Sequence, residues 1–341
     1  MSEKIRITTQ PGQLNEGLFG QIFLHIFEVL PYLDSQGIRP AWAISSTLYG
    51  APSDFVVIPG LLEINYNIEA GNHRDVNLLD LRYEQAVILG GDWDYASRLW
   101  SKFFRWPERV RLQADGFPSL TGALGLHYRG TDKNQSQVET NPVSPEDFLA
   151  LAGDFVATHP DIKTLYVATD ENSFLERVRA QHPSLHIVDS GAACHHKDGV
   201  VENNLAKGDH ALLDCLLLSR CRYLVKCQSA LSGFAKILNP QLEAYRVSAN
   251  KSAWWTNGIP YFPDAYLPKL QSGNADCQKI LDRLLAGDWT DDRRTMEKYG
   301  RPFTSKRRKK YTVKMPPRWT LDGLHRRIEK RIDVLARKLG R

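Results

Sequence analysis

Apolar and polar positions divide the chain into an irregular first third and a regular middle. From residue 120 to 247, short apolar runs alternate with stretches whose apolar positions recur at helical spacing. The pattern predicts strands at Gly122–Tyr128, Thr164–Ala168, Leu185–Val188, Tyr223–Lys226 and Ala244–Val247. Between them it predicts helices from Ser144 to about His159, then Glu171–His182, Asp209–Ser219 and Ser229–Leu238. Ser144 and Pro145 occupy the capping and first helical positions that these residue types favour. Strands alternating with helices imply a parallel sheet, because parallel neighbours need crossovers.

Earlier residues give a weaker pattern. Lys4–Thr8 reads as a strand, followed by a turn-rich segment, Gln10 to Gly20, that contains Gly17. Ile22, Ile26, Val29 and Leu30 then fall on one helical face. Such a strand–loop–helix unit can meet an anion or a sugar at the helix start, although it lacks the GxGxxG spacing. It is expected to act as an acceptor-side loop through Gly17 and Gly20. Pro40–Ser45, Phe55–Ile58 and Gln85–Leu89 read as further strands, and Tyr95–Leu112 as a helix rich in Trp, Phe and Arg. Asp115-Gly116-Phe117-Pro118 marks a boundary. The expected division is an N-terminal α/β domain (1–117), a second, Rossmann-like domain (118–270) and C-terminal helices with a tail (271–341).

A chain of 341 residues can bury two cores. Its 24% charged and 42% hydrophobic residues belong to the ordinary globular range. No run approaches the ~18 apolar residues of a membrane span, and Met1-Ser2-Glu3-Lys4-Ile5 lacks a secretory apolar segment. The five cysteines have no framework spacing, and Cys194-His195-His196 has no partner at ligand spacing. A cytoplasmic protein with neither disulfides nor a metal is expected.

The net charge of +5 conceals an asymmetry. Residues 301–341 hold fifteen Lys and Arg against three Asp and Glu, leaving 29 basic and 36 acidic residues in the rest. Leu321, Leu324, Ile328, Leu335 and Leu339 form an apolar stripe on this basic segment. A basic amphipathic helix fits an anionic membrane surface, where each cation contributes about 1 kcal/mol. Nucleic-acid binding and packing on the body are the rival readings. No nucleic-acid motif accompanies the charge, so no nucleic-acid partner is expected.

Candidate chemistry gathers at strand ends. Leu126-His127-Tyr128-Arg129-Gly130-Thr131-Asp132-Lys133 places four polar or charged side chains directly after an apolar strand. Thr169-Asp170 follows the next strand, and Asp214 on a helix joins Gln228-Ser229 as a third site. Ligands of doubly wound sheets bind at such ends. Arg129 suits a diphosphate through its planar fork, and Ser229 with the helix it starts can hold another phosphate oxygen. Plainer readings compete: an Arg129–Asp132 ion pair, Asp170 as a helix cap, and Asp214 as a core residue. Asp92-Trp93-Asp94 resembles the DxD clamp of metal-dependent glycosyltransferases, but the triplet is common.

Leu126–Lys133, Leu165–Glu171, Ala211–Asp214, Leu218-Ser219 and Cys227-Gln228-Ser229 together resemble the fucosyltransferase superfamily. The resemblance is nearest to α1,6-fucosyltransferases and NodZ-type enzymes, and it covers about residues 122–240. It implies a GT-B-like α/β fold: two Rossmann-like domains, a parallel sheet in the C-terminal donor domain, and here a basic helical tail. It also implies an inverting glycosyltransferase that needs no cofactor or metal and uses a nucleotide sugar, GDP-linked in that family. The acceptor would be a glycan or a lipid-linked glycan in surface polysaccharide synthesis, with the enzyme peripheral to the membrane.

By the same resemblance, Arg129 holds the β-phosphate, while His127 and Asp214 lie near the guanosine. Ser229 lies near the diphosphate, Asp132 and Lys133 organise the phosphate pocket, and Asp170 belongs to the donor site. Glu139 is the nearest match to the catalytic carboxylate, against a plainer reading as a solvated loop residue. Two departures stand out: Gly130 replaces the family's second arginine, and Ser229-Ala230-Leu231-Ser232 is less polar than its counterpart. The rival functional readings are a metal-dependent transferase using Asp92 and Asp94, and a nucleotide-sugar-binding scaffold without turnover.

Overall fold

The computed structural model describes residues 4–11, 17–50, 56–78, 93–130, 143–191, 204–227, 229–247 and 265–266. The chain opens with β1 (Ile5–Thr8), a π-helical segment Leu18–Phe23, α1 (Leu24–Ser35), β2 (Ala41–Ser45) and β3 (Val56–Ile58). Next come β4 (Glu63–Ile64), β5 (Arg74–Asn77), α2 (Trp93–Phe103), β6 (Phe104–Arg105) and α3 (Glu108–Asp115). A four-stranded sheet has the order β3-β2-β1-β5. In it β1 pairs in parallel with β2 and β5, while β3 is antiparallel.

One helix was expected over Tyr95–Leu112, and the structure contains two. Pro107 disfavours helical backbone at the residue before it and itself takes an extended conformation as the N-cap of α3 (φ −61°, ψ 147°). The interrupted segment forms β6, which pairs antiparallel with β4, and Arg105 Nε donates to Glu63 Oε2 at 2.7 Å. β5 was not foreseen, because its sequence Arg-Asp-Val-Asn carries only one apolar residue. The expected strand at Gln85–Leu89 lies outside the described residues.

After residue 120 the predicted alternation is observed. β7 (Leu124–Tyr128), α4 (Pro145–Thr158), β8 (Thr164–Thr169), α5 (Asn172–Gln181) and β9 (His186–Asp189) follow in turn. Then come α6 (Asn204–Arg220), β10 (Tyr223–Lys226), α7 (Ala230–Leu238), β11 (Glu243–Arg246) and β12 (Ala265–Tyr266). All pairings in this six-stranded sheet, ordered β12-β11-β10-β7-β8-β9, are parallel. The Ser144 hydroxyl accepts from Asp147 N at 3.0 Å, as its sequence position predicts. α6 starts five residues before its expected Asp209 boundary.

Strand period decides what each face of the sheet meets. Leu124, Leu126 and Tyr128 pack with Phe148 and Phe155 of α4 and Phe174 of α5, and the Tyr128 and Phe174 rings stack at 4.2 Å. Gly125 and His127 point the other way, towards α6 and α7. A Cβ on Gly125 would lie 3.0 Å from Leu218 Cδ2 and 3.3 Å from Cys221 Sγ, so a glycine here lets α6 lie close to the strand.

Helix α7 also reaches the elements of the first third. Its Phe234 ring lies among Phe19, Phe23, Phe27, Trp100 and Trp106, with centroid separations from 4.8 Å (Trp100) to 6.2 Å (Trp106). All six residues are buried. Truncating one aromatic of such a cluster typically costs about 3–5 kcal/mol. The basic segment 301–341 lies outside the described residues.

Candidate functional site

β7 and β10 are neighbours in the sheet, although β8 and β9 lie between them in sequence. The chain leaves β7 towards α4 on one face and leaves β10 towards α7 on the other. Strands whose connections diverge in this way open a crevice at their carboxyl ends, the usual ligand position in open α/β sheets. Arg129 and Gly130 follow β7, and Cys227 and Ser229 follow β10. Cys227 N donates to His127 O at 3.0 Å and Arg129 N to Cys227 Sγ at 3.2 Å, so the two strand ends are locked in register.

Asp170, at the end of β8, braces the Arg129 segment from the other side. Its Oδ1 accepts from Gly130 N at 2.9 Å, and its Oδ2 lies 4.0 Å from Arg129 Nε. Glu171 is at the N-cap of α5 and makes no side-chain cap bond.

The start of α7 forms the opposite wall. Ser229 is its extended N-cap residue (φ −152°, ψ 136°), and the side chain makes no capping bond. Although Ser229 is only 8% exposed, its Oγ has no hydrogen-bond partner among the described residues. The first N–H groups of a helix also lack intrahelical partners and carry the positive end of its dipole. Gly20, in the π-helical segment, brings its backbone against this helix start, where a Cβ would lie 3.5 Å from Ala230 Cβ. Gly17 O accepts the i→i+5 bond from Ile22 N at 3.2 Å. Both glycines of the expected acceptor-side loop therefore belong to the segment that flanks α7.

His127 links the two walls. Its Nδ1 lies 2.7 Å from Ser232 Oγ, and Ser232 in turn donates to Ser229 O at 3.4 Å. With the hydroxyl donating there, the imidazole donates from Nδ1. Burial, reinforced by the charges of Arg129 and Lys226, pushes the His127 pKa down to about 3. The ring is neutral at ordinary pH. Lys226, its register partner on β10, is 1% exposed.

Asp214 occupies a different place, below the ends of β8 and β9. Its Oδ1 accepts the Tyr166 hydroxyl at 2.6 Å and also the Ser190 hydroxyl. His210 Nε2 lies 3.0 Å from Ser190 O. Burial raises the carboxyl pKa, opposed by His210 and by the hydrogen bonds from Ser190 and Tyr166. The network holds the turn after β9, where Gly191 adopts φ 91°.

Of the residues expected at the site, Arg129, His127, Asp170 and Ser229 meet around the β7–β10 crevice, with Gly20 beside them. Asp214 is separate from that group. Asp132, Lys133 and Glu139 lie outside the described residues, as does Asp92, while Asp94 is exposed in the first turn of α2. Among the described residues no three His, Cys, Asp or Glu side chains converge as a metal cluster. Sequence reasoning missed Ser232 and Glu171. Ser232 falls one helical turn after Ser229, which was a readable signal, whereas Glu171 looks like the first residue of a helix.

No family model matches the sequence, and neither does any curated protein. Similar solved structures include NodZ alpha-1,6-fucosyltransferase co-crystallized with GDP, at 15% identity, covering 70% of this chain and 94% of that one, with a TM-score of 0.43. Another is FUT1 from Arabidopsis thaliana in complex with GDP, at 10% identity, 76% and 74% coverage, and a TM-score of 0.43. POFUT1 in complex with GDP matches at 12% identity, 71% and 74% coverage, and a TM-score of 0.35. The class defined by this chain's own fold and site is a doubly wound α/β protein whose strand-crossover crevice carries Arg129 braced by Asp170.

Proposed function

We propose that the protein is a glycosyltransferase that binds a nucleotide sugar in the β7–β10 crevice. The observation that carries this reading is the buried, unpartnered Ser229 hydroxyl at the start of α7. Burying such a group without a partner costs about 1–3 kcal/mol, and a diphosphate oxygen supplies the missing bond. Arg129 contributes the opposing positive charge, and the helix start adds backbone donors suited to phosphate. His127, kept neutral, orients Ser232 and the first turn of α7. Asp170 orients Arg129, and Asp214 fixes the turn after β9, on the nucleoside side.

In the transfer, an acceptor hydroxyl oxygen attacks the anomeric carbon from the face opposite the diphosphate. The carbon–oxygen bond to the β-phosphate breaks, its electron pair leaves with the nucleoside diphosphate, and configuration inverts. Arg129 and the α7 N-terminus stabilise that leaving charge, so the step as proposed needs no metal. The resemblance in sequence makes GDP the base-bearing half and fucose or a related hexose the cargo. It also assigns the acceptor proton to Glu139, with Asp132 and Lys133 completing the phosphate pocket. A glycan or lipid-linked glycan is the acceptor, and the 301–341 tail holds a cytoplasmic enzyme against an anionic membrane face.

Incubation with GDP-, UDP-, dTDP- and CMP-sugars, with and without EDTA, tests the reading. Donor hydrolysis by the wild type that survives EDTA is expected. Removing Arg129 (R129A) should weaken binding of the preferred donor about a hundred-fold, by loss of a charge-assisted bidentate contact. Normal turnover by R129A would remove the phosphate clamp. Hydrolysis abolished by EDTA would favour a metal-dependent transferase, and binding without turnover a scaffold.

A further inference from the structure

We infer that Glu171 is a specificity-determining residue of the crevice, accepting hydrogen bonds from a vicinal hydroxyl pair on the nucleotide sugar. This rests on the nucleotide-sugar reading above. The argument begins at Gly130, where the resembled family carries an arginine. A Cβ built on Gly130 would lie 2.5 Å from Glu171 Cδ and 2.9 Å from Tyr128 Cε1. Tyr128 is fully buried and stacked on Phe174, so it cannot yield. Any side chain at position 130 would therefore have to displace the Glu171 carboxyl. The missing arginine and the carboxyl form one arrangement, in which an acid takes the space that a cation's stem would need.

The rest of the geometry gives that acid a task. Asp170 is engaged with Gly130 N and Arg129. No hydrogen bond to the Glu171 side chain occurs among the described residues, and its backbone N is already tied to Thr169 Oγ1 at 3.2 Å. Burial, together with the charge of Asp170, raises the Glu171 pKa, consistent with a carboxyl that lacks donors of its own. Glu171 follows β8, which is separated from β10 only by β7. Two strand spacings span roughly 10 Å, the order of size of a ribose 5′-diphosphate. With the diphosphate at Ser229 and Arg129, a sugar diol can reach the end of β8. An acid at the end of the second strand of a βαβ unit is a recurrent diol acceptor, since two carboxylate oxygens match two hydroxyls. The diol belongs either to the ribose or to the transferred hexose.

Calorimetry on the full chain separates these, using inorganic pyrophosphate, GDP, 2′-deoxy-GDP and GDP-fucose with wild type, E171Q, E171A and R129A. Wild type should prefer GDP over 2′-deoxy-GDP about ten-fold or more if the diol is ribose, the loss expected for a hydrogen bond to a charged group. E171A should abolish that preference while leaving pyrophosphate affinity unchanged. If the diol is the hexose, E171A should abolish instead the preference for GDP-fucose over GDP. E171Q, which keeps one acceptor, should retain part of either preference. Unaltered ratios in E171A, with R129A defective, would overturn this inference alone. A wild type that binds neither pyrophosphate nor GDP would overturn the nucleotide-sugar reading and this inference with it.

Discussion

Asp214 and Ser229 are both polar, both buried (5% and 8% exposed) and both placed by apolar helices under the same edge of one sheet. Their surroundings are opposite. Asp214 receives two hydroxyls within its own domain, from Tyr166 and Ser190, whereas the Ser229 hydroxyl receives nothing from the described residues. A satisfied polar group rigidifies the fold around it. An unsatisfied one lowers stability unless something outside the chain completes it. Both residues were expected to bind the donor directly; Asp214 Oδ1 is taken up by two hydroxyls of the fold, whereas Ser229 Oγ has no partner among the described residues.

The contrast breaks most visibly at Asp214. D214A should lower the free energy of unfolding by about 2–4 kcal/mol, because it strands the buried Tyr166 hydroxyl and the half-buried Ser190 hydroxyl at about 1–3 kcal/mol for a fully buried group. Urea denaturation measures this, and adding Y166F should recover part of the loss by removing one stranded group. A D214A protein as stable as wild type, but deficient in nucleotide binding, would reverse the roles assigned to the pair.

His127 gives a test through pH. Its folded pKa is depressed to about 3, so between pH 6.5 and 3 the unfolded chain binds a proton that the folded chain refuses. Stability supplied by the neutral ring is therefore present above the unfolded pKa of about 6.5 and declines on acidification. H127Q should flatten this acid limb in chemical denaturation between pH 7 and 4. The raised pKa of Asp214 acts in the opposite sense, because the folded carboxyl takes up its proton at higher pH than the unfolded one. An unchanged limb in H127Q would mean that the imidazole is solvated.

The smallest effect on the fold is expected at Ser229. Replacing an N-cap serine ordinarily costs about 0.5–2 kcal/mol, but this one makes no capping bond. S229A should leave thermal stability unchanged or slightly higher, while weakening pyrophosphate and nucleotide binding about ten-fold. A loss of stability without a loss of binding would make Ser229 an ordinary cap.

The regular part of the fold was legible because buried parallel strands announce themselves as apolar runs between helices. Tyr223–Lys226 was placed to the residue, and Ser144 capped as its neighbours implied. The first third was harder. A single proline, Pro107, divides a long amphipathic pattern, and β5 gains its place from pairing with β1 rather than from propensity. At the site, the charged cluster after β7 pointed to the crevice. The difference between Asp214 and Ser229 was not readable, since it depends on two hydroxyls brought from β8 and β9. Nor could the sequence show that Gly130 and Glu171, forty-one positions apart, compete for one volume.

The aromatic surroundings of Phe234 have a consequence for modularity. One nine-residue helix carries the unpartnered Ser229 cap at its start and an anchor among five aromatic rings of the first third little more than one turn further on. An excised second half would expose that ring cluster to water, and a transplanted one would need Phe19 through Trp106 to travel with it. In evolutionary terms, the crossover crevice is not a cassette: drift in the first third of the chain is screened by the same helix that carries Ser229 at its start.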